Sequence, residues 1–457
     1  MTEAYELEQT RLNSLLTDSH QIHPRAVFAN NELALHDVNV YGFDYEFAIR
    51  GLHYDVRNCC LLKMDAFSQV QLGTVHRGRR ALSDAEVHSL YPRLSVPDAA
   101  TREGTLFPQL VDFFSLPWAG LLSSVVEYFD ENRITFDPAC LYNDVEESVR
   151  RVHQSGEMYS HVMQQIPTFV HHTPELRVFL DRLKQAGKSL FIVTNSPFFF
   201  VNAGMTYILG PDWRSLFSFI IVKANKPGFF QCDSLSFARV HDLKTDAIYS
   251  GGNIEDLSSR CGFGNGRVIY FGDHILTDLA HPMLQLGWRT VAVVPELSRE
   301  IRIQNGEQHQ RNIIWLQLLT ALIERFGRIR SAEEREKRIL NDWREERLRI
   351  QTDVKHVFNP RFGSTFRTYH QMSYFSRRLC RSVLDVSSDR RALQSRPTMT
   401  CRLSDVYTSR VTNFLAYPTH HAFFPRRNAL PHEQLHLGPT SSETGFPEGL
   451  LSDQPDL

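Results

Sequence analysis

Short, continuous apolar runs alternate with amphipathic stretches through the middle of this 457-residue chain. Runs that are apolar at nearly every position are typical of strands buried on both faces of a sheet, whereas apolar residues spaced three or four apart are typical of helices. The pattern predicts strands at 38–43, 189–193, 217–222, 268–271 and 290–294. It predicts helices at 174–186, 198–208 and 277–286. This alternation predicts an α/β protein with a doubly wound parallel sheet.

The remaining stretches carry weaker patterns. We predict a polar, partly helical lead-in at 1–37, mixed structure at 51–170 with helices near 108–131 and 141–165, an acidic linker near 82–104, and a loop with one short helix at 231–266. A long helix is predicted at 312–350, with the charged segment 332–338 on its solvated face. Beyond 381 the chain is rich in Ser, Arg and Thr, and the tail at 436–457 is predicted to be disordered.

Composition argues against several classes of protein. The net charge is −2, so there is no electrostatic case for binding nucleic acid or an acidic membrane. No apolar run is long enough to predict a membrane span. The seven cysteines show no CxxC spacing and predict reduced thiols. Glu3, Glu6 and Glu8 argue against a signal peptide or a presequence, which favours the cytoplasm; a mitochondrial location requires that the true N-terminus is missing.

Two carboxylates at a strand end supply the first candidate chemistry. Asp273 and Asp278 follow the apolar run 268–271 and Gly272. Ligands of open α/β sheets bind at the carboxyl ends of the strands, and two acids there favour a hard cation or a phosphate-handling site. For the pair alone, a helix N-cap followed by a solvated aspartate explains the sequence at least as well.

Three further pieces of a phosphate site occur upstream. Asp44 follows the predicted strand 38–43, Thr194 and Asn195 follow 189–193, and Lys226 follows 217–222. Each piece also has an ordinary explanation when taken singly. Asp44 could cap a helix, the Thr194-Asn195-Ser196 sequence could form a turn, and Lys226 could lie on the surface. Their occurrence together and in this order favours a single phosphate site.

These pieces resemble the motifs of haloacid-dehalogenase-type phosphatases. Further segments make the chain similar to the cytosolic purine 5′-nucleotidase group and, within it, to the 5′-nucleotidase-domain-containing proteins. The segments are Asn30-Asn31-Glu32, Tyr41-Gly42-Phe43-Asp44-Tyr45, Ala48-Ile49-Arg50-Gly51-Leu52-His53-Tyr54-Asp55, Thr194-Asn195-Ser196-Pro197, Lys226-Pro227-Gly228-Phe229-Phe230, Phe271-Gly272-Asp273-His274, Gly287-Trp288-Arg289-Thr290, Phe362-Gly363-Ser364-Thr365-Phe366-Arg367-Thr368 and Tyr417-Pro418. The resemblance covers roughly residues 25–435 and implies a Rossmannoid core with a helical cap insertion and a helical C-terminal extension.

The resemblance implies a role for each candidate residue. Asp44 would attack phosphorus and carry an aspartyl-phosphate, and Glu46 would stand where the family has its general acid. Thr194, Asn195 and Lys226 would bind the phosphate of a nucleoside 5′-monophosphate, and Lys226 would also steady Asp44.

The implied cofactor is Mg²⁺. Its predicted ligands are Asp44, Glu46, Asp273 and Asp278, with Glu46 contributing its main-chain carbonyl and Asp278 orienting either Lys226 or a metal-bound water. Mg²⁺ is usually held by one or two carboxylates together with substrate phosphate and water, which agrees with this set.

The first motif departs from the family pattern. The family has Asp-x-Asp-x-Thr, but here Glu46 and Ala48 stand at the second and third fixed positions after Asp44. In the family this motif and the segment that begins with Ala48 are a few dozen residues apart, whereas here they abut. We therefore favour a missing segment over a substitution. General acid catalysis accelerates a reaction by about 10²–10⁴-fold, so its loss would cripple turnover without abolishing phosphate binding. The alternative function is therefore a catalytically impaired phosphate-binding or scaffold protein, either a pseudoenzyme or a shortened isoform.

The resemblance also sets the predicted domain boundaries. They are a lead-in at 1–37, a phosphatase-like core at 38–310 with its cap region at about 51–170, a helical extension at 311–435 with an atypical insertion near 382–400, and the tail 436–457. The stretch 312–350 is a candidate contact surface of a homo-oligomer, although packing within the chain is favoured.

Overall fold

A computed structural model describes most of the chain. The described residues are 2–17, 27–29, 33–34, 40–43, 51–96, 106–112, 115–231, 247–261, 268–327, 334–359, 361–368, 371–380 and 404–424. The predicted insertion near 382–400 and the predicted disordered tail at 436–457 lie outside these ranges.

The described strands form three sheets. They are β1 Val27–Ala29, β2 Leu33–Ala34, β3 Val40–Phe43, β4 His53–Asp55, β5 Cys60–Leu62, β6 His76–Arg77, β7 Arg80–Ala81, β8 Ser189–Val193, β9 Phe219–Val222, β10 Ala247–Ser250, β11 Val268–Gly272, β12 Arg289–Val293, β13 Val406–Thr408 and β14 Ala422–Phe423. The largest sheet has the order β1-β13-β12-β11-β3-β8-β9-β10. All its neighbouring pairs are parallel except β1 with β13.

Helices connect the parallel strands. They are α1 Thr2–Thr17, α2 Asp84–Leu90, α3 Ser115–Glu131, α4 Pro138–Ser155, α5 Glu157–Gln164, α6 Ile166–Phe169, α7 Pro174–Gln185, α8 Phe198–Leu209, α9 Gly228–Gln231, α10 Ile254–Cys261, α11 His281–Leu286, α12 Glu296–Asn305, α13 Glu307–Phe326, α14 Glu334–His356 and α15 Tyr374–Cys380. A π-helical turn, Ile275–Ala280, precedes α11, and 3-10 turns occur at Trp213–Leu216 and Val411–Ala416. The predicted mixed α/β class with a parallel sheet is confirmed.

Strand β8 shows why the parallel sheet forms. Leu190 and Ile192 enter one apolar cluster, whereas Phe191 and Val193 enter another. Since successive side chains of a strand point to opposite faces, both faces of the sheet are covered here. This explains why the strand is apolar at nearly every position and was predictable from sequence.

The chain order places a switch point at the centre of the sheet. β3 lies between β11 and β8. From β3 and β8 the connections proceed towards β10, whereas from β11 they proceed in the opposite direction, towards β12. The carboxyl ends of β3 and β11 therefore border the crevice where open α/β sheets bind their ligands.

Residues 51–170, predicted as a helical cap, are only partly helical. β4 to β7 form a four-stranded antiparallel sheet, and the helices α3 to α6 follow it. The stretch predicted as an acidic linker contains α2, whose N-cap Ser83 forms a capping box with Glu86. Strands of two or three residues are too short to show an alternating pattern, so this sheet was not predictable from local sequence.

The long helix predicted at 312–350 is two helices. α13 ends at Phe326 and α14 begins at Glu334, and residues 328–333 lie outside the described ranges. α1 packs with both, so that Leu12, Trp315 and Trp343 share one apolar cluster. Pairing two helices buries an apolar face on each, which a single long helix could not achieve.

Two further predictions about secondary structure are wrong. β10 forms within the stretch predicted as loop and pairs with β9. β13 and β14 form within the predicted helical extension, and β13 pairs with β12 inside the large sheet. Both β10 and β13 gain stability from pairing with a distant strand, which local sequence does not encode. The predicted domain boundaries stay a prediction.

No helix in the described part of the chain combines the length and the apolar content that a membrane crossing requires.

Candidate functional site

The candidate site lies at the carboxyl ends of β8, β9 and β11. Thr194 directly follows β8, Lys226 lies in the loop after β9, and Asp273 directly follows β11. In sequence, Asp44 follows the last residue of β3, but Asp44 and Glu46 lie outside the described residues. The structure therefore describes the predicted phosphate-binding residues Thr194, Asn195 and Lys226, and two of the four predicted metal ligands, Asp273 and Asp278.

A buried ion pair joins two loops of this site. Lys226 Nζ donates to Asp278 Oδ1 at 2.9 Å, and the two side chains are 3% and 1% exposed. Charges removed from water are costly unless they are paired, so each of these groups requires the other. The resemblance implies that Asp278 orients either Lys226 or a metal-bound water, and the structure shows its contact with Lys226.

The π-helical turn after β11 aims Asp278 at the site. His274 Nδ1 accepts from the amide of Thr277 at 3.2 Å, which caps the start of the turn. The amide of His274 donates to Asp278 Oδ2 at 3.3 Å. Asp278 thus has one carboxylate oxygen on the backbone and the other on Lys226.

Gly272 allows Asp278 to approach the end of β11. A Cβ atom at position 272 would lie 2.3 Å from the Cβ of Asp278, closer than side chains can approach. Glycine is the residue that lets a backbone and a side chain come this close. The adjacent Asp273 is 3% exposed, so its carboxylate is also held inside the protein.

The loop after β8 is tied to the loop after β9. The amide of Ala224 donates to the carbonyl of Thr194 at 3.0 Å, and the amide of Lys223 donates to the carbonyl of Ser196 at 3.2 Å. Thr194 is fully buried, and its Oγ1 accepts from the amide of Ser196 at 3.1 Å. Two loops that follow neighbouring parallel strands are therefore fixed against each other.

The side chain of Asn195 completes this connection. Its Oδ1 accepts from the amide of Lys226 at 2.6 Å, and its Nδ2 donates to the carbonyl of Lys226 at 3.1 Å. The sequence predicted Asn195 as a phosphate ligand, whereas these two bonds are made with the protein backbone.

Comparisons with known sequences identify the family. The sequence model of the 5′ nucleotidase family matches residues 44–388. The human 5′-nucleotidase domain-containing protein 2 is 39% identical, with 90% of this chain and 86% of the human protein covered. The rat protein of the same name is 38% identical, with 90% and 80% covered. A 5′-nucleotidase domain-containing protein of Dictyostelium discoideum is 29% identical, with 90% and 75% covered. This chain belongs to the 5′ nucleotidase family. The resemblance inferred from its motifs is confirmed at that level.

Within this 5′ nucleotidase family member, the structure brings part of the predicted site together. Lys226 and Asp278 are in direct contact, and Asn195 contacts the backbone of Lys226. Across the ranges that the structure describes, no three or more His, Cys, Asp or Glu side chains are grouped as metal ligands. Because Asp44 and Glu46 lie outside those ranges, the catalytic and metal roles predicted for them stay predictions.

Sequence reasoning missed the contact between Tyr159 and the phenylalanines that follow the loop after β8. Phe199 and Phe200 at the start of α8 contact Tyr159 of α5, at ring-centroid distances of 6.1 and 4.7 Å. Tyr159 also bonds His153, with 2.9 Å between its hydroxyl oxygen and Nε2. Phe198 is partly buried and packs against the core, whereas Phe199 is half exposed. No local signal links residues of α5 and α8, because they are about 40 positions apart in the chain.

Proposed function

We propose that this 5′ nucleotidase family member is a Mg²⁺-dependent phosphatase that acts on nucleoside 5′-monophosphates. Its fold would be the haloacid-dehalogenase-like, doubly wound one, and its turnover would be slow because the first motif is truncated. The observation that carries the proposal is the buried Lys226–Asp278 pair beside the central crevice of the parallel sheet. A lysine kept at the carboxyl edge of the sheet and compensated by a carboxylate is suited to receive an anionic phosphoryl group.

The fold proposal is supported by the sheet. Its strand order reverses direction beside β3, and alternate residues of β8 are buried on opposite faces. These features are expected of an open α/β sheet with helices on both sides.

The proposed reaction has two steps. A carboxylate oxygen of Asp44 forms a bond to phosphorus while the phosphorus–oxygen ester bond breaks, and the leaving nucleoside oxygen takes up a proton. Water then attacks the phosphoryl-aspartate, which releases inorganic phosphate and restores the Asp44 carboxylate. Lys226 balances phosphate charge through both steps, and Thr194 donates a hydrogen bond to a phosphoryl oxygen.

Proton transfer is the weak step in this proposal. The family uses a second aspartate to protonate the leaving oxygen, and here Glu46 occupies that sequence position. Glutamate is one methylene longer than aspartate, and catalytic groups work within about 0.5 Å of their productive position. We therefore expect turnover well below about 1 s⁻¹, the low end for ordinary enzymes.

The donor set suits Mg²⁺. Asp273 provides a buried carboxylate at the carboxyl end of β11, and hard oxygen donors of this kind are what Mg²⁺ binds. Asp273 and Asp44 would hold the ion, with the main-chain carbonyl of Glu46. When bound, Mg²⁺ screens the repulsion between the phosphate and the attacking carboxylate.

A second candidate function is phosphate binding without turnover. The departure at Glu46 and Ala48 favours it, because it removes the proton-transferring group and leaves Lys226 and Asp278 in place. The two candidates share the binding site and differ only in catalysis.

The test measures phosphate release and phosphate binding on the full chain. Release from inosine and guanosine 5′-monophosphate is followed with Mg²⁺, for the unchanged chain, for Asp44→Asn and for Asp137→Asn. Asp137 is an exposed N-cap of α4, a position that asparagine fills equally well, so it is the matched control. Slow release that Asp44→Asn abolishes and Asp137→Asn preserves supports the phosphatase. Phosphate binding by calorimetry without release supports the second candidate, and absence of both refutes the two together.

A restored segment tests the cause of the slow turnover. Insertion of a family-length segment between Tyr45 and Glu46 should raise both the melting temperature and the rate of release, because it would cover the pocket and exclude water from Asp44. If the lengthened protein is no more stable and no faster than the short one, the short first motif is a genuine architecture of this chain.

A further inference from the structure

We infer that Asn195 is a positioning residue that sets the place of Lys226, and that it does not act as a ligand of the phosphate. The inference rests on the proposed function insofar as Lys226 is taken as the phosphate-binding lysine. The contacts that support the inference are all between residues that the structure describes.

The two hydrogen bonds of Asn195 form a closed pairing with one residue. Its carbonyl oxygen accepts from the Lys226 amide, and its amide nitrogen donates to the Lys226 carbonyl. The same arrangement occurs between paired residues of an antiparallel sheet, where two bonds fix both separation and orientation. Asn195 therefore holds the backbone from which the Lys226 side chain extends.

The loop before Lys226 needs such a support. Lys223 has φ +47° and Asn225 has φ +61°, so two side-chain-bearing residues adopt left-handed conformations within three positions. Such conformations cost free energy and persist only where surrounding contacts hold them. The bonds from Thr194 and Ser196 hold the first half of the loop, and Asn195 holds its end.

The position of Lys226 then determines the ion pair. Its ammonium reaches Asp278, which belongs to the turn after β11. Asn195 thus connects the loop after β8, through Lys226, to the loop after β11. The Oδ1 acceptor and one of the two Nδ2 donors of this amide are committed to the backbone of Lys226, so at most its second N–H is left for a substrate.

The first test is a double-mutant cycle that uses inorganic phosphate with Mg²⁺ as the probe. Asn195→Ala alone should weaken phosphate binding about tenfold, the usual order for losing two neutral hydrogen bonds. Added to Lys226→Met, Asn195→Ala should cause no further loss, because its effect passes through Lys226. A further loss of similar size in the Lys226→Met background would show direct contact with phosphate and would overturn the inference.

The second test needs no phosphate. Acetic anhydride labels lysine amines, and mass spectrometry reports the labelling of Lys226 in the folded protein. Asn195→Ala should raise the rate of Lys226 labelling at least about tenfold, because a displaced lysine leaves its buried pairing. Asn202→Ala is the matched control, since Asn202 Oδ1 accepts from Arg214 at 2.9 Å and makes no bond with Lys226.

These two tests separate the inference from the proposed function. If the unchanged chain binds no phosphate, the proposed function fails, and the labelling of Lys226 still decides the role of Asn195. Equal labelling in Asn195→Ala and the unchanged chain, with melting temperatures alike, would refute the positioning role.

Discussion

Two buried lysines in this protein have different kinds of partner, a carboxylate for one and backbone carbonyls for the other. Lys226 is 7% exposed and pairs with the carboxylate of Asp278, whereas Lys63 is 4% exposed and donates to backbone carbonyls. Lys63 Nζ bonds the carbonyls of Phe362, Ser364 and Arg367. An ammonium group has three N–H donors, so three carbonyls satisfy Lys63 completely.

The three carbonyl oxygens accept hydrogen bonds from the Lys63 ammonium, but they carry no net charge and do not neutralise it. Burial therefore lowers the pKa of Lys63 to about 8, while the nearby Glu300 opposes this shift and Lys355 adds to it. Lys63 follows β5, and its carbonyl partners belong to the segment 362–367. It thus ties the four-stranded sheet to a segment that α12 also holds through Glu300 and Ser364. The proposed phosphate-binding lysine is thus paired with a carboxylate, whereas Lys63 is held by backbone carbonyls.

The largest expected effect is on phosphate binding. Lys226→Met should weaken phosphate binding by about 10²-fold and slow any turnover by about 10²–10³-fold, because the site loses its buried cation. Lys63→Met should leave both quantities within about twofold when measured where the protein is folded. Calorimetry with inorganic phosphate and initial rates check the pair of variants. Equal losses in the two variants would remove the distinction between the lysines.

The second effect is on stability. Lys63→Met should lower the free energy of unfolding by about 2–3 kcal/mol at pH 7, because three buried carbonyls lose their donor, and this outweighs the relief of a buried charge. Lys337→Met is the control, since Lys337 is exposed and pairs only with Glu334 three positions earlier among the contacts described. Urea unfolding of both variants gives the comparison. A Lys63→Met protein as stable as Lys337→Met would contradict the structural role.

The third effect is a pH dependence with a defined sign. Between pH 8 and the ordinary lysine value of 10.5, Lys63 is deprotonated in the folded state and still protonated in the unfolded state. The unfolded state then binds more protons, so the contribution of Lys63 to stability rises with pH across this interval. The stability difference between the unchanged chain and Lys63→Met should therefore grow by about 2–3 kcal/mol from pH 8 to 10.5. A difference that stays constant or shrinks would show that burial does not lower this pKa.

The smallest effect concerns Glu300. Burial raises the pKa of its carboxyl, although bonds from Ser364 and Thr365 oppose the shift. Glu300→Gln keeps one carbonyl oxygen to accept from the amide of Thr365, replaces the oxygen that accepts from Ser364 by an NH2 group, and removes the negative charge near Lys63. We expect a loss of about 1 kcal/mol in the free energy of unfolding and a further fall in the Lys63 pKa. In the Lys63→Met background the substitution should cost less, which a double-mutant cycle measures; a cost at least as large there would mean that Glu300 acts independently of Lys63.

Much of the central sheet could be predicted from the sequence because its strands are locally distinctive. The predicted strand 189–193 coincides with β8, and α7 begins at Pro174 after Thr173, as predicted. The Thr173 side chain makes no capping bond at this boundary, where Pro174 occupies the first helical turn. β4 to β7 were missed because strands of two or three residues carry too little pattern.

The sequence predicted which residues lie at the candidate site but not which of them contact each other. Lys226 and Asp278 could be named because each follows an apolar strand, but they are 52 positions apart and their contact depends on two separate loops. The pairing of Asn195 with the Lys226 backbone spans 31 positions. The motifs place Asn195 and Lys226 at the carboxyl edge of the sheet. They do not show which side-chain groups will form hydrogen bonds within the protein and which will remain for a ligand.

The sequence by itself therefore determined the family, the parallel α/β core and most of the residues at its carboxyl edge, because apolar runs, turn residues and motifs act over short distances. The tertiary structure decided that α13 and α14 pack against each other and against α1, and that β13 pairs within the central sheet. It also decided that Asn195 contacts Lys226, and that Lys226 pairs with a carboxylate whereas Lys63 bonds backbone carbonyls. Those outcomes depend on contacts between residues far apart in the chain, whose free energy exists only once the sheets and helices have packed.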